Sequence, residues 1–189
     1  MAGLNSEYKN KHKPLREGKS HYHQGYFTPQ HPEKCVTPVN IYRSFLEFRF
    51  YTFFDNCVQI VRWGSEPLAV KYKNPISNMK YCLERGIPLS DKRYWKEANY
   101  NIDAWIELRT KEGDIRKIFI EIKPESQTRP PVLAENPKPK DYKKFNYEAQ
   151  TYAVNIEKWK AAKAYCEERC TEFIVVTEKT LEQLSRTYR

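Results

Sequence analysis

Four side chains in this sequence have the types and spacing to work on a phosphodiester bond: Glu47, Asp103, Glu121 and Lys123. Hydrolysis of such a bond requires an activated water, a held phosphate and an offset for charge that builds in the transition state. Carboxylates hold hard divalent cations such as Mg²⁺, and a neighbouring ammonium orients water or offsets phosphate charge. Glu121 and Lys123 are separated by one residue, so they leave an extended strand on the same side. Asp103 interrupts an apolar, alternating run and becomes a neighbour of Glu121 if the two runs pair as a hairpin. Glu47 lies amid the aromatic residues of an expected buried helix, with Arg43 and Tyr51 one turn away on either side; a carboxylate there needs a partner. A Glu-x-Lys tripeptide alone is common on solvated strand faces. Asp103 one hairpin away and a buried Glu47 make the set specific.

The elements that must position these residues are legible in the periodicity. Residues 100–108 alternate, with Ile102, Ala104, Ile106 and Leu108 on one face and Asn101, Asp103, Trp105 and Glu107 on the other. Residues 111–114 form a turn. Residues 115–123 return as a strand, with Ile118, Ile120 and Ile122 on one face, Phe119, Glu121 and Lys123 on the other, and Pro124 ending it. A first helix is expected from 39 or 40 to 55, with Asn40 as N-cap. Short strands are expected at 58–61 and 68–72, then an irregular insertion over 74–97 containing a short helix near 78–84. A proline- and charge-rich surface loop covers 125–140. A long helix follows over 141–170, its apolar stripe formed by Ala149, Tyr152, Ala153, Ile156, Trp159 and Ala162, with Gln150, Asn155, Lys158 and Lys160 off that stripe. A strand at 173–177 and a helix at 178–185 close the chain. This order predicts an α/β fold, a mixed β-sheet flanked by helices. Residues 1–25 read as a flexible basic arm and 26–189 as one domain.

The formal net charge of +9 favours a polyanionic partner, DNA foremost. Candidate DNA contacts are Arg43, Lys140, Lys143, Lys144, Gln150 and Lys158. Tyr142, Phe145 and Tyr147 interleave the helical lysines, which either track a backbone or form a solvated helix face. No apolar run is long enough to cross a bilayer, and the polar N-terminus lacks the apolar core of a secretory signal. Five cysteines, an odd number without such a signal, read as reduced thiols in a cytosolic compartment. His21, His23, His31 and Cys35 fit no zinc-ligand spacing. There is no glycine-rich phosphate loop, and Ser44 and Ser65 have no histidine or aspartate setting for nucleophilic catalysis.

Asn101-Ile102-Asp103 with Phe119-Ile120-Glu121-Ile122-Lys123 resembles the core motif of the restriction-endonuclease-like, or PD-(D/E)XK, nucleases. More narrowly, Gly25-Tyr26-Phe27-Thr28-Pro29, His31-Pro32-Glu33-Lys34, Ile41-Tyr42-Arg43-Ser44 with Glu47, and Trp63-Gly64-Ser65-Glu66 resemble the head completion nucleases of T-even-like bacteriophages. Asn155-Ile156-Glu157-Lys158-Trp159 and Phe173-Ile174-Val175-Val176-Thr177-Glu178 extend the similarity. The resemblance implies metal binding by Asp103, Glu121 and the carbonyl of Ile122, assistance of the attacking water by Lys123, and completion of the site by Glu47. It implies Mg²⁺, replaceable by Mn²⁺, and DNA and portal or neck proteins as partners. It also implies action in the host cytoplasm or on the virion, after packaging and before the tail joins. Ile102 stands where the superfamily has proline, a position without chemistry. Gln150 either supports the site, as a helical polar residue does in some members, or faces solvent. The same core is compatible with a structural DNA-end-binding protein or a transposon-end or restriction-type cellular nuclease.

Overall fold

The computed structural model describes residues 24–187. In chain order the elements are β1 (Gly25–Phe27), β2 (Asn40–Tyr42), α1 (Phe45–Asn56), β3 (Ile60–Ser65), β4 (Ala69–Asn74), α2 (Met79–Glu84), β5 (Lys96–Asn101), β6 (Ala104–Arg109), β7 (Ile115–Ile122), α3 (Pro139–Glu167), β8 (Glu172–Val176) and α4 (Glu178–Thr187). Short 3₁₀ turns occur at Lys92–Tyr94 and Glu125–Gln127. The central sheet runs β3-β6-β7-β8. Its first two pairings are antiparallel, and β7 pairs with β8 in parallel. A parallel neighbour requires a crossover, which α3 provides. Two antiparallel ribbons, β1-β2 and β4-β5, flank the sheet. This is the expected α/β class, a mixed sheet flanked by helices.

Alternation along β7 divides the interior into two cores. Ile118, Ile120 and Ile122 face α1, where they join Phe50, Tyr51, Phe54, Ile60 and Trp63. Phe119 points the other way with Trp105, against Tyr72, Tyr100 and Ile102 from the β4-β5 ribbon and Ala162 and Cys166 from α3. The segment before β2 is tied to the end of α1. Asp55, fully buried, accepts from the backbone N–H groups of Gln30 and His31 and from the indole of Trp63. Lys34 donates to the carbonyls of Phe54, Asp55 and Cys57, supplying the cation that the last turn of α1 lacks.

Several expectations are corrected. Residues 40–42 form β2, and α1 begins at Phe45 with Ser44 as N-cap, its hydroxyl accepting from the Glu47 N–H. Asn40 instead holds Cys35, Thr37 and Ser65 together. The first short strand starts later, at Ile60, leaving Val58 86% exposed. Residues 100–108 are two strands: β5 ends at Asn101 and β6 starts at Ala104 in a different sheet. Ile102 consequently packs in the α3 core while Ala104 packs in the α1 core. The 74–97 insertion holds the expected short helix, α2, and is otherwise irregular apart from its ends, where Asn74 closes β4 and Lys96 and Glu97 begin β5. On α3 the seating face is rotated from the expected stripe: Asn155, Ala162 and Cys166 are its buried residues. The basic arm lies outside the described residues except at its end, where Gly25 opens β1.

Candidate active site

The antiparallel β6-β7 hairpin turns at Gly113, whose φ of 96° lies in the left-handed region that glycine enters freely. The hairpin register pairs Ala104 with Ile120, which brings Asp103, just outside β6, level with Glu121. The carboxylate Oδ2 of Asp103 accepts from the Ile122 N–H at 2.8 Å. Its backbone carbonyl accepts from the Glu66 N–H and the Tyr51 hydroxyl. The strand break at Ile102 is thus what allows Asp103 to reach across onto β7. Lys123 follows the last residue of β7, and its N–H donates to Val176 of β8 at 3.0 Å.

The ammonium of Lys123 lies 2.7 Å from Glu121 Oε1 and 3.5 Å from Asp103 Oδ2, and it donates to the Ile122 carbonyl at 3.3 Å. Three hard oxygen donors therefore converge on one cation. Among the described residues no group of three or more His, Cys, Asp or Glu side chains is arranged to hold a metal. The set is two carboxylates and a carbonyl, which suits an ion such as Mg²⁺ that keeps several waters. The other oxygen of Glu121, Oε2, accepts from the buried hydroxyl of Tyr100.

Glu47 enters from α1, at the third helical position after its Ser44 cap. Its carboxylate accepts from the Arg43 N–H at 2.8 Å and from the Ser44 hydroxyl at 2.9 Å. This reciprocal Ser44-Glu47 arrangement fixes the helix start and the carboxylate together. Burial, then repulsion from Asp103, push the Glu47 carboxyl up to about 7, against the lowering pull of those two donors and Lys123. Burial and Asp103 likewise raise Glu121 to about 7, against Lys123 and Tyr100. For Lys123, burial alone would lower the ammonium pKa, but Asp103, Glu121 and Glu47 outweigh it and hold it above the ordinary lysine range. Burial first, and then Glu121 and Asp103, raise the Tyr100 phenol, which stays a protonated donor. The cluster holds more negative charge than Lys123 neutralises, a condition that favours a second cation.

Asp103, Glu121, Lys123 and the Ile122 carbonyl are in direct contact, while Glu47 bonds Arg43 and Ser44 and lies near enough for its charge to act on Asp103 and Lys123. The candidate DNA contacts are not brought together. Arg43 is engaged by Glu66 at 3.1 Å. Lys140, Lys143 and Lys144 are exposed on the first turns of α3, and Gln150 is half-buried. Lys158 lies about 27 Å along the helix from Lys140 at 1.5 Å per residue. It packs over the rings of Tyr72 and Tyr100 rather than standing free of the apolar stripe. No role for Tyr100 is legible in the sequence, and Glu66 enters there only within the Trp63-Gly64-Ser65-Glu66 resemblance. A tyrosine in an alternating strand reads as an ordinary strand former, and only the fold aims its hydroxyl at Glu121. Glu66 carried a sharper signal, since it follows Trp63-Gly64-Ser65. It occupies the left-handed region at φ 42°, uncommon outside glycine and asparagine.

A mixed sheet carrying two acids and a lysine on adjacent strands, with a helical glutamate beside them, defines a restriction-endonuclease-like nuclease. The TnsA-like endonuclease N-terminal family matches residues 57–178, and the chain belongs to that family. It is also similar to the head completion nuclease of Enterobacteria phage T4, 33% identical over 143 residues, which span 76% of this chain and 81% of the relative. The family match includes Asp103, Glu121 and Lys123 but begins after Glu47.

Proposed function

We propose that this protein is a Mg²⁺-dependent DNA endonuclease serving phage head completion, processing DNA at the portal after packaging and before tail attachment, in the host cytoplasm or on the virion. The observation that carries the chemistry is the convergence of Asp103, Glu121 and the Ile122 carbonyl on the Lys123 ammonium. That set of oxygens fits a divalent ion, and Mn²⁺ is expected to substitute. When bound, the metal polarises the phosphate and activates water. Asp103 and Glu121 would hold it, with Tyr100 pinning Oε2 of Glu121 and leaving Oε1 on the Lys123 side. Lys123, held charged by its neighbours, orients the attacking water and offsets charge on the phosphate. Glu47 completes the cluster with a carboxylate able to take up a proton near neutral pH. The net charge of +9 supports DNA as substrate, and the similarity to a head completion nuclease supports the phage role and portal or neck partners.

The test is cleavage of supercoiled plasmid and branched DNA by purified protein, with Mg²⁺ or with EDTA. Wild type is expected to cut only with the metal. Asp103→Ala is expected to abolish cutting, and Lys123→Met to slow it by about a hundredfold or more. Wild type as inactive as Asp103→Ala under both conditions would overturn the assignment. For the phage role, Asp103→Ala virions are expected to assemble heads that fail to yield infectious particles; normal infectivity would count against it.

A further inference from the structure

Away from the carboxylates, a cleft of about 370 Å³ opens between the β4-β5 ribbon and α3. Lys71, Lys73, Lys92 and Lys160 line it, together with the rings of Tyr72 and Trp95. Two acids also reach it, and each is already paired: Glu97 with Lys71 at 2.8 Å and Glu157 with Lys160 at 2.7 Å. Lys73 and Lys92 are the surplus positive charge. The indole of Trp95 is fixed by its N–H, which donates to the Leu89 carbonyl at 2.9 Å, and the Lys92 ammonium stands 5.4 Å from its ring. An oriented aromatic ring beside surplus ammonium groups, in a concave site, matches one nucleotide: a base to stack and a phosphate to neutralise. A base inside a duplex hides both faces, so away from a duplex end only an unpaired nucleotide can use the ring.

A short chain of side chains links the cleft to the carboxylates. Tyr72 forms part of its wall, and the Lys158 ammonium lies 5.7 Å from the Tyr72 ring and 5.4 Å from the Tyr100 ring. Tyr100 in turn donates to Glu121. One lysine and two tyrosines therefore separate the cleft from the site of chemistry. We propose that this cleft binds an unpaired nucleotide of single-stranded DNA, seating the strand with its base on Trp95 and its phosphate on Lys73 and Lys92. This deepens the nuclease assignment, on which it rests for the identity of the strand as substrate: DNA carrying a single-stranded stretch would be preferred.

The experiment measures binding without cleavage. Asp103→Ala protein in EDTA is titrated into a labelled single-stranded oligonucleotide and, separately, a blunt duplex of equal length, over a range of salt. Adding Lys73→Glu and Lys92→Glu is expected to weaken single-strand binding by about tenfold or more and to reduce the salt slope by about 1.4, two phosphate contacts at about 0.7 each. Trp95→Ala is expected to weaken it by about tenfold and Trp95→Phe to retain it. Single-strand affinity unchanged in both the charge and Trp95→Ala variants would overturn the proposal. So would an equal loss on the duplex, which would mark a general backbone-binding face. Cleavage in Mg²⁺ by the otherwise wild-type protein is measured in parallel. Predicted single-strand binding without cleavage would keep the cleft and sink the nuclease assignment, whereas normal cleavage with unaltered binding in the variants would do the reverse.

Discussion

Replacing Glu47 with glutamine should make the metal-free protein's stability less sensitive to pH. Glu47 is buried beside Asp103, and its carboxyl is raised from 4.5 to about 7. A folded state that binds this proton more tightly than the unfolded chain is favoured while the proton is bound. That advantage is lost as pH rises from the unfolded value through the folded one, so stability falls across this window. Treating this as one group with these two values gives a loss on the order of 2–3 kcal/mol between pH 5 and pH 8. Glutamine keeps the shape and one acceptor for the Arg43 N–H and Ser44 hydroxyl, at a cost of about 1 kcal/mol that does not vary with pH. The measurement is urea unfolding of both proteins in EDTA at pH 5 and pH 8. Relative to wild type, Glu47→Gln should gain on the order of 2–3 kcal/mol on going to the higher pH. Mg²⁺ at pH 8 should stabilise wild type more than the variant, because the ion relieves the repulsion that the variant lacks. A stability difference constant across pH, or one moving in wild type's favour at pH 8 without metal, would refute this reasoning.

Two further outcomes concern positions around the site. Tyr100→Phe retains the ring in the α3 core but removes the donor to Glu121 Oε2, and should lower Mg²⁺ affinity or cleavage rate about 10- to 100-fold without loss of fold; calorimetric titration with the metal and a cleavage time course check it, and unchanged values would remove Tyr100 from the site. Gly64→Ala would place a Cβ 2.4 Å from Thr37 Oγ1 and 2.9 Å from Trp105 Nε1, and should destabilise by about 1–3 kcal/mol; an unaltered thermal midpoint would show that the strand yields there.

What the sequence disclosed was periodic, and what it concealed was periodic too. The β6-β7 hairpin was legible because alternation and Gly113 agree on it. The break between β5 and β6 was not, because apolar residues at Ile102, Ala104 and Ile106 continue one alternation across it while serving two cores. The start of α1 was readable in the Ser44-x-x-Glu47 box, yet Asn40 before a run of aromatic residues competes as a cap until its side chain is seen bonding Cys35 and Thr37. On α3 the burial of Asn155 and the packing of Lys158 over two tyrosines turn the helix away from the stripe that hydrophobicity alone selects. Glu121 and Lys123 were paired by spacing and Asp103 by the hairpin register, while the strand break that carries Asp103 onto β7 was not legible. Tyr100 and Glu66 depend on contacts between segments far apart in the chain.

The parallel ladder from β7 to β8 bears on when this chain can first act as a nuclease. The Lys123 N–H donates to the carbonyl of Val176, so a nascent polypeptide that lacks β8 carries Asp103, Glu121 and Lys123 without the ladder bond that anchors Lys123. The loop after β7 and the whole of α3 must be translated first. Hydrolytic competence is therefore expected only once the final strand is in place, and a product truncated ahead of Val176 is predicted to carry the motif without cleaving.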